Sequence, residues 1–373
     1  MKLQSVVIGW LALAASSASA TSFAVIGDYG YAGPNEQAVA TMINSWNVDF
    51  IVTVGDNSYN PSTIDSNIGQ YYSSYIGAYN GSFGVGSATN RFFPALGNHD
   101  YSDGGGISSY LNYFALPGTG IASDQTSGNE RYYDFIIGPC HFFALNSNSQ
   151  EPDGIDSSSV QAQWLKNELK YSSSVWNVIL LHHAPYSSGA VHGNTTIMQW
   201  PFERWGADVV LAGHEHTYER IMRDDNLNGD SIPYYVNGLG GRSIYNFSTN
   251  IVPGSAVRYN GNYGAMKVNA GDTTLALQFF SIDGGGTLID SLTMHVTRCC
   301  RGTVGNISMT GTVDLLDLSI LVQYLIGYFD VFPCVAEANL NVDRVVDLND
   351  LSALIAYLTG MPGYQLPGCP HGH

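Results

Sequence analysis

The sequence has few charged residues, and basic ones are the scarcest. Lysine and arginine together number 14 in 373 residues, against 31 aspartates and glutamates, so the formal net charge is −17. Because an acidic chain repels the phosphate backbone, this balance argues against general nucleic-acid binding. It does not exclude a small phosphate ester, since a bound metal ion reverses the local field. The low charged fraction, 12%, also suits an extracellular protein better than a cytosolic one.

The sequence also lacks apolar runs long enough to cross a bilayer. The apolar segment Val6–Ala15 is too short to span one. It follows Lys2 and precedes Ala18-Ser19-Ala20, which is the order of a secretory signal peptide and its cleavage site. We therefore predict a signal peptide at residues 1–20, a secreted chain and no transmembrane segment. The alternative is a membrane anchor at this end.

Cysteine is scarce and unevenly placed. Four of the five cysteines lie in the last quarter of the chain, and the fifth, Cys140, begins an apolar run. The four are Cys299, Cys300, Cys334 and Cys369. Clustered cysteines in an exported protein usually form disulfides, so we predict disulfides among the four, with their pairing left open. Cys140 is expected to be a buried, unreactive thiol.

Five apolar, β-branched runs each end in a polar residue able to bind a metal ion. The runs are Phe23–Asp28, Phe50–Asp56, Phe92–Asn98, Val175–His183 and Asp208–His216. Such runs are typical of buried strands in a mostly parallel sheet. Since ligands of open α/β sheets bind beyond the carboxyl ends of the strands, the five polar ends predict one common site. We expect helices between the strands at Asn35–Trp46 and Ser159–Lys170.

The rest of this region predicts loops and further strands. The segments Asn60–Asn90 and Tyr101–Glu130 are rich in tyrosine, serine and glycine, which indicates long surface loops near the site. Strand-like runs after Asn237, at Thr274–Phe280 and Leu288–Val296, favour a second sheet.

The strand ends carry short motifs that contain carboxylate, imidazole, amide and phenol groups. The motifs are Gly27-Asp28-Tyr29-Gly30, Gly55-Asp56-Asn57-Ser58-Tyr59, Gly97-Asn98-His99-Asp100, His182-His183-Ala184-Pro185 and Gly213-His214-Glu215-His216. Any one of them would also suit a turn with a polar tip, but five together favour a metal centre. Carboxylate and phenolate suit a trivalent ion such as Fe(III), whereas imidazole and amide suit a divalent ion. Two ions about 3.5–4 Å apart can activate water and hold phosphoryl oxygens for in-line displacement.

The order and spacing of these motifs resemble those of purple acid phosphatases, over residues 22–297. The resemblance implies an α/β fold, the four-layer αββα sandwich of two mixed sheets found in metallophosphoesterases. It also implies a catalytic centre of Fe(III) with a divalent zinc, iron or manganese ion, and Asp56 as the bridge. The implied ferric ligands are Asp28, Asp56, Tyr59 and His216, and the implied ligands of the divalent ion are Asn98, His183 and His214.

Two positions within the resemblance need a choice. Tyr59 separates purple acid phosphatases from other metallophosphoesterases, which lack a tyrosine three residues after the bridging aspartate; the alternative is a loop tyrosine with a buried ring. His183 matches the family ligand because it lies two residues before Pro185. His182 is then either a packed histidine or a hydrogen-bond donor to a ligand.

The resemblance also assigns substrate contacts to His99 and His192. His99 would bind phosphate or protonate the leaving group, and His192 would face the substrate, unless it is a solvated loop histidine. An imidazolium can do both, since it donates a proton and adds positive charge. The implied reaction is that of a secreted acid phosphatase, which hydrolyses phosphate monoesters by attack of a metal-bound hydroxide. The alternatives are a phosphodiesterase or pyrophosphatase on the same centre, and a non-catalytic surface protein docked to a scaffold.

The composition changes at Cys299, after which a segment is duplicated. Residues 306–317 resemble residues 339–350, an offset of 33, and an apolar helix-like run follows each copy, at Leu318–Ile326 and Leu351–Leu358. The repeat resembles a type I dockerin domain, which assigns residues 298–373 to a small α-helical module with two EF-hand-like calcium loops. The implied calcium ligands are Asn306, Ser308, Thr310, Asp314, Asp317, Asn339, Asn341, Asp343, Asp347 and Asp350. The alternative is a disulfide-linked helical pair that binds no calcium.

The partner of this module is left open by the sequence. Dockerins of cellulose-degrading assemblies often carry a hydroxyl pair at loop positions 10 and 11, where this chain has Leu315-Leu316 and Leu348-Asn349. A cohesin-like protein, another surface or scaffold protein, and the catalytic domain of the same chain are the partners considered. The first two would tether the secreted enzyme to a cell surface or scaffold.

Overall fold

The computed structural model describes most of the chain, in ten stretches. They are residues 20–59, 64–103, 106–124, 126–172, 174–224, 231–296, 304–328, 332, 334–341 and 345–367. Residues 1–19 of the predicted signal peptide lie outside these stretches, as do Cys299, Cys300 and Cys369, so the signal peptide and the disulfides stay predictions. In the described part of the chain, no helix is both long enough and apolar enough to cross a membrane.

Thirteen strands occur in the described residues, and they form two mixed sheets. The strands are β1 (Thr21–Ile26), β2 (Phe50–Thr53), β3 (Phe92–Pro94), β4 (Tyr133–Ile137), β5 (Cys140–Ala144), β6 (Trp176–His183), β7 (Val209–Gly213), β8 (Tyr218–Arg223), β9 (Ile232–Asn237), β10 (Ser255–Tyr259), β11 (Gly264–Ala270), β12 (Thr274–Ser281) and β13 (Thr287–His295). The first sheet has the order β13-β12-β11-β1-β2-β3, and the second has the order β10-β8-β9-β7-β6-β5-β4. Strands β1, β2 and β3 are parallel neighbours, as are β5, β6, β7 and β9, and the remaining pairs are antiparallel.

The helices are mostly short. They are α1 (Pro34–Ser45), α2 (Ile64–Asn67), α3 (Gly69–Tyr72), α4 (His99–Ser102), α5 (Ser108–Tyr113), α6 (Val160–Tyr171), α7 (Phe202–Trp205), α8 (Leu315–Leu325), α9 (Val335–Ala338) and α10 (Leu348–Leu358). Helix α1 begins at Pro34, a position where the missing N–H would have had no partner in any case. Helix α6 begins after Ser159, whose hydroxyl accepts a hydrogen bond from the backbone N–H of Ala162 at 3.2 Å. Both helices lie within one residue of the predicted bounds.

The apolar residues form three layers of packing around the two sheets. Between the sheets, Phe23 of the first and Phe142 of the second meet edge to face with ring centres 5.1 Å apart. On the outer face of the first sheet, Ile26 packs with Val39 of α1. Leu165 of α6 belongs to the core on the outer face of the second sheet. The chain is therefore layered helix, sheet, sheet, helix, and the predicted pair of mixed sheets is confirmed.

The prediction that the five polar-ended strands share one parallel sheet is wrong. Strands β1, β2 and β3 belong to the first sheet, while β6 and β7 belong to the second. The strands after Asn237 form no separate sheet either, because β11 pairs antiparallel with β1 and extends the first sheet through β12 and β13. Burial along β12 alternates strictly, as expected for an antiparallel strand with one covered face.

The predicted surface loop at Asn60–Asn90 is also partly wrong. Its described residues include α2, α3 and a 3-10 helix, and the side chains of Tyr71, Tyr72 and Tyr75 are buried. The ring of Tyr72 packs on Phe92 of β3, with ring centres 5.7 Å apart. Tyrosine is frequent in loops, but its ring removes a large apolar area from water when a core is within reach.

The duplicated segment forms two helices of equal length, α8 and α10. Their first residues, Leu315 and Leu348, are separated by the same 33 residues as the two copies of the repeat. Asp314 caps α8 and Asp347 caps α10. In each case the aspartate three residues later, Asp317 or Asp350, accepts a hydrogen bond from the backbone N–H of the cap residue and completes a capping box. Both helices contribute to one small apolar core. The predicted helical pair is thus present, with each helix starting three residues earlier than predicted.

The two described cysteines are both buried. Cys140 is a free cysteine, as predicted, and burial raises the pKa of its thiol well above the usual range. A buried thiol with a raised pKa is unreactive. Cys334 is the one member of the clustered four that lies among the described residues, and it is 1% exposed.

Candidate metal centre

The carboxyl ends of strands from both sheets come together at one rim. Asp28 follows β1, Asp56 follows β2 and His214 follows β7, and their φ angles are 56°, 52° and 72°. Non-glycine residues adopt positive φ at a cost, and such strained residues cluster at functional sites. Asp28 Oδ2 accepts a hydrogen bond from the backbone N–H of His214 at 2.9 Å. This bond joins the two sheets at the rim.

Three of the predicted ferric ligands form a group of mutually contacting donor atoms. Tyr59 Oη lies 3.4 Å from Asp28 Oδ1 and 3.2 Å from His216 Nε2, and the latter two atoms are 3.3 Å apart. Ligand atoms bonded to one ion at about 2.0–2.2 Å stand about 3 Å from each other, so these atoms have the spacing of one coordination sphere. Ser243 Oγ contacts His216 Nδ1 at 2.5 Å, and the ring of Tyr245 stacks on the imidazole at 4.2 Å. Both contacts orient Nε2 of His216 toward the group.

A second group of donors surrounds Nε2 of His182. This atom is 3.0 Å from Asn98 Oδ1, 3.3 Å from Asp56 Oδ1 and 3.2 Å from His214 Nδ1. Ligand atoms of Asp28, Asp56 and His182 all lie within 4.8 Å of one another. The two groups therefore adjoin, and Asp56 stands between them, which is where the resemblance placed the bridging carboxylate.

His182 has features of both roles that the sequence left open, a packed histidine and a hydrogen-bond donor to a ligand. Its side chain is fully buried, and its Nε2 contacts the predicted ligand Asn98. Its Nδ1–H donates to the carbonyl oxygen of Val54 at 2.9 Å. Burial opposes protonation of the ring, but the carboxylates of Asp56 and Asp28 outweigh burial and raise the pKa of His182 to about 9. The centre is therefore a place that strongly attracts positive charge.

His183, the predicted ligand, lies beside both His214 and His182, and its ring centre is 5.1 Å from that of His182. The ring centres of His183 and His214 are 4.4 Å apart, and Nδ1 of His183 contacts Ser147 Oγ at 2.8 Å. Burial and the charge of His182 lower the pKa of His183 to about 3, and burial with the neighbouring imidazoles also lowers the pKa of His214. Both rings are therefore neutral, and the neutral imidazole is the form that binds a metal ion.

The pKa values of Tyr59 and Asp56 are shifted in opposite directions. Burial and the charges of Asp28 and Asp56 raise the pKa of Tyr59 well above its usual range. For Asp56, burial is outweighed by His182 and His99, and its pKa falls well below the usual range. Phenol and carboxylates thus face each other at close range, which suits a cation of high charge. Together the seven predicted ligands offer phenol and carboxylate with one imidazole on one side, and imidazole and amide on the other, and this set fits two metal ions of different charge.

The two histidines predicted to face the substrate flank these groups. The ring of His99 lies 4.4 Å from that of Tyr59, its Nδ1 contacts Asp103 Oδ2 at 3.0 Å, and its side chain is 37% exposed. His192 is exposed and stacks on the predicted ligand His214, with ring centres 3.9 Å apart. Each thus contacts a predicted ligand and keeps a face open to solvent.

Asp100 is a functional residue that the sequence analysis missed. Its buried carboxylate accepts hydrogen bonds from the backbone N–H groups of Gly97, Asn57 and Ser58 at 2.7–3.2 Å. It therefore ties the motif that contains Asn98 to the motif that contains Asp56 and Tyr59. Burial and the nearby charge of Asp56 raise the pKa of Asp100 to about 7.

Glu215 has the equivalent role on the other side of the centre. Its fully buried carboxylate accepts hydrogen bonds from the backbone of Val191, His192 and Gly193 at 3.1, 2.6 and 3.1 Å. The loop that carries His192 is held in this way against the motif that supplies His214. The only signal in the sequence was that Asp100 and Glu215 lie beside predicted ligands.

A further buried group of potential ligands lies elsewhere, on β4, β5 and α6. Asp134, His141 and Glu168 each place a ligand atom within 4.8 Å of the other two. His141 Nε2 contacts Asp134 Oδ2 at 2.9 Å and its Nδ1 contacts Ser172 Oγ at 3.0 Å. Asp134 also accepts a hydrogen bond from Ser123 Oγ at 2.7 Å. These bonds use both ring nitrogens and connect the β4–β5 hairpin to its surroundings, which is a structural role.

The predicted calcium ligands mostly bond to the backbone of their own loops. Asp317 accepts hydrogen bonds from the backbone N–H of Ser308 at 2.7 Å and of Asp314 at 2.8 Å. Asp350 occupies the equivalent position in the second repeat, with bonds of 3.1 and 2.8 Å. Asp343 lies outside the described residues. Of the groups of three or more His, Cys, Asp or Glu found within ligand distance in the described residues, none lies in these loops.

The other described loop residues follow the same pattern. Asn306 Oδ1 accepts a hydrogen bond from the backbone N–H of Gly311 at 3.1 Å, and the hydroxyls of Ser308 and Thr310 are 3.0 Å apart. Asp347 accepts from the backbone N–H of Asn349 at 2.6 Å. The loops therefore have a defined turn geometry, and calcium binding stays a prediction.

Comparison with known proteins finds a family match, curated relatives and solved structures of similar fold. The profile of the family described as "Calcineurin-like phosphoesterase" matches residues 21–218. Among curated proteins, the chain is 28% identical over 220 residues to Purple acid phosphatase 22 of Arabidopsis thaliana, covering 56% of this chain and 47% of that protein. It is 32% identical over 158 residues to Purple acid phosphatase 23 of the same plant, covering 39% and 33%. The chain thus spans half or less of the length of these relatives.

Two solved structures share the fold at low sequence identity. The purple acid phosphatase PPD1 from yellow lupin (Lupinus luteus) seeds matches with a TM-score of 0.59 and 17% identity, over 75% of this chain and 54% of that one. GAP50, the anchor in the inner membrane complex of Plasmodium, matches with a TM-score of 0.56 and 16% identity, over 75% of this chain and 90% of that one. At these identities the matches establish the two-sheet architecture and no more.

Proposed function

The chain belongs to the calcineurin-like phosphoesterase family, and from that premise we propose that it hydrolyses phosphate monoesters at a centre of one ferric and one divalent ion. One observation carries the proposal beyond the family: Tyr59 Oη is within 3.4 Å of both Asp28 Oδ1 and His216 Nε2. A phenol beside a carboxylate is a hard, anionic donor pair once deprotonated, and it favours a trivalent ion. The purple acid phosphatases among the relatives support the same assignment.

Seven residues would hold the two ions. They are Asp28, Asp56, Tyr59 and His216 for the ferric ion, with Asp56 shared, and Asn98, His183 and His214 for the divalent ion. When bound, such a pair supplies Lewis acidity toward phosphoryl oxygens and lowers the pKa of bound water. The divalent ion would be zinc, iron or manganese, since imidazole and amide donors suit all three.

The protein's own contribution is to orient the ester and to move a proton. His99 and His192 both stand beside predicted ligands, and both have a face open to solvent. A phosphoryl group held at the centre would lie within reach of either imidazole, which can donate a hydrogen bond to its oxygens. One of the two would then pass a proton to the leaving oxygen. Asp103 Oδ2 lies 3.0 Å from Nδ1 of His99 and orients that ring.

We propose further that the enzyme is secreted and tethered through the C-terminal repeat. The pattern at residues 1–20 supports export. At the start of helices α8 and α10, Leu315 is 73% exposed and Leu348 is 69% exposed, so the repeat presents apolar surface to a protein partner. A cohesin-like or other surface scaffold protein would fill this role, with calcium ordering the loops.

The test uses the full-length protein purified without chelators. We expect turnover of p-nitrophenyl phosphate, slower turnover of bis(p-nitrophenyl) phosphate, and two transition-metal ions per chain by elemental analysis. A broad visible absorption band should be present in the wild type and absent in Tyr59→Phe. Turnover of the diester alone would instead make the protein a phosphodiesterase, and no turnover of either ester with both ions bound would contradict the enzyme assignment. An active, colourless wild type would contradict the ferric ion.

A further inference from the structure

Arg242 is one of two described arginines, the other being Arg223, whose Nε is buried without a hydrogen-bond partner. The guanidinium of Arg242 forms no ion pair with any of the described residues. By contrast, Arg131 pairs with Glu151 at 3.0 Å and Arg220 pairs with Asp290 at 2.7 Å. The side chain of Arg242 is partly buried. A buried guanidinium N–H without a partner is costly unless a ligand completes it.

The position of Arg242 links it to the candidate centre. Its guanidinium carbon lies 4.0 Å from the ring centre of Tyr31 and 5.1 Å from that of Tyr59. Its backbone N–H donates to the carbonyl oxygen of Asp28 at 3.1 Å. The next residue, Ser243, contacts the imidazole of the predicted ligand His216. The guanidinium therefore stands beside the group formed by Asp28, Tyr59 and His216.

The backbone around Arg242 is closely packed. Gly241 has a φ of +147°, and a Cβ at this position would come within 2.8 Å of the backbone of Glu36. A side chain is therefore excluded there, and the segment is held against the start of α1. Stacking on two tyrosine rings further restricts the guanidinium. The backbone and the guanidinium of Arg242 are thus both held in a fixed position.

The guanidinium stands beside the metal donors and not among them. Tyr59 directs its hydroxyl to Asp28 and His216, whereas Arg242 lies against the tyrosine ring. If a phosphoryl group is held at the metal donors, Arg242 would contact the part of the substrate next to that phosphoryl group. A planar guanidinium offers five N–H donors in a fork that matches two oxygens of a phosphate or carboxylate.

We infer that Arg242 binds a second anionic group of the substrate, next to the phosphoryl group that is hydrolysed. This inference rests on the proposed function. It narrows the substrate class to phosphate compounds that carry a further phosphoryl or carboxylate group close to the scissile bond. The chain has only 14 basic residues, so an arginine beside the candidate centre that pairs with no acidic residue is unusual and favours a role in binding.

Three substrates distinguish whether the second anionic group bound by Arg242 is a phosphoryl group or a carboxylate. p-Nitrophenyl phosphate has no second anionic group, pyrophosphate has a second phosphoryl group, and 3-phosphoglycerate has a carboxylate. In Arg242→Ala we expect kcat/KM to fall about 10- to 100-fold for one or both of the doubly anionic substrates, the loss typical of a hydrogen-bonded charge pair. For p-nitrophenyl phosphate the fall should stay below about threefold. Arg242→Lys should lie between the wild type and the alanine variant, because it keeps the charge but not the fork.

Two further variants control for structural effects. Arg242→Met removes the charge but keeps an apolar stem against Tyr31 and Tyr59, so a folding defect specific to alanine would be recognised. Arg258→Ala removes the same charge from an exposed arginine on β10, whose guanidinium donates to Ser255 Oγ at 2.7 Å. We expect this variant to match the wild type on all three substrates.

Binding gives a readout that does not depend on turnover. Equilibrium dialysis of the metal-loaded protein with pyrophosphate at low temperature should show weaker binding in Arg242→Met, with unchanged metal content. If the wild type hydrolysed none of the substrates, the proposed function would fail, while selective loss of pyrophosphate binding would still support the role of Arg242. An equal loss on all three substrates, or no loss on any, would overturn the inference.

Discussion

The catalytic region and the C-terminal repeat both contain metal-binding residue types at regular spacing, but the groups that these residues contact differ between the two regions. Around Asp56 and Tyr59 the predicted donors contact one another or the adjacent His182 at 3.0–3.4 Å. In the repeat, Asp317 and Asp350 accept hydrogen bonds from backbone N–H groups and complete the capping boxes of α8 and α10. A helix cap alone accounts for an aspartate at those positions. Donors that converge from distant strands have no such local explanation, so they are the stronger evidence for a metal.

The largest effect is expected at the carboxylate shared by the two donor groups. Asp56→Ala should lower kcat for p-nitrophenyl phosphate by at least about 10³-fold, the upper range for removal of one preorganised electrostatic group. Elemental analysis should find fewer than two ions per chain, since this carboxylate would serve both. Asp283→Asn, in an exposed carboxylate bonded to Asn262 at 2.6 Å, should keep both ions and full activity. Two retained ions in Asp56→Ala would contradict the bridging role.

The adjacent histidines give the next largest effect and test which of them holds a metal. His183→Gln should abolish stoichiometric binding of the divalent ion, because it removes a ligand. His182→Gln should lower the affinity for that ion by about 10- to 100-fold, the range seen when a group that orients ligands is lost. Competition with a chelator measures both affinities. If His182→Gln bound the ion as tightly as the wild type, His182 would be a packed side chain only, one of the two roles that the sequence left open.

The location of the site could be predicted because it is encoded locally. Each of the five strands is a continuous apolar run, and the polar residue that ends it is visible without any partner strand. The division of these strands between two sheets could not be predicted, because it depends on β11, which lies more than 200 residues after the β1 strand that it pairs with. Pairing at that distance leaves no mark on the pattern of a single strand.

The exact ligand set was less predictable for a geometric reason. Successive residues of a regular strand point to opposite faces, so only one of His182 and His183 should face the centre. The pairing of β6 with β7 is irregular between Leu180 and His183, and both rings reach His214. The roles of Asp100 and Glu215 were hidden similarly, because Glu215 bonds to N–H groups about 20 residues away in the sequence.

Glu215 should show an intermediate effect, through His192. Glu215→Gln removes the negative charge that accepts hydrogen bonds from three backbone N–H groups, so the loop that carries His192 should become less ordered. We expect kcat to fall about tenfold, which is part of the contribution typical of a general acid. Combined with His192→Asn, the loss should be smaller than the product of the single losses. Glu219→Gln is the matched control, since that buried carboxylate binds the neighbouring backbone of Ser188 at 2.7 Å. Independent, multiplicative losses would show that Glu215 does not act through His192.

The smallest effect is expected for calcium, where the structure offers only capping aspartates. We expect the metal-loaded full-length protein to bind calcium weakly, with affinity lost in Asp317→Asn and Asp350→Asn together. The same double substitution should also lower stability by about 1 kcal/mol per helix without calcium, because each aspartate completes a capping box. Isothermal titration, with thermal melting in calcium and in EGTA, separates the two contributions. If melting is identical in calcium and EGTA for the wild type, the aspartates are helix caps alone, and the repeat is a helical pair that needs no ion.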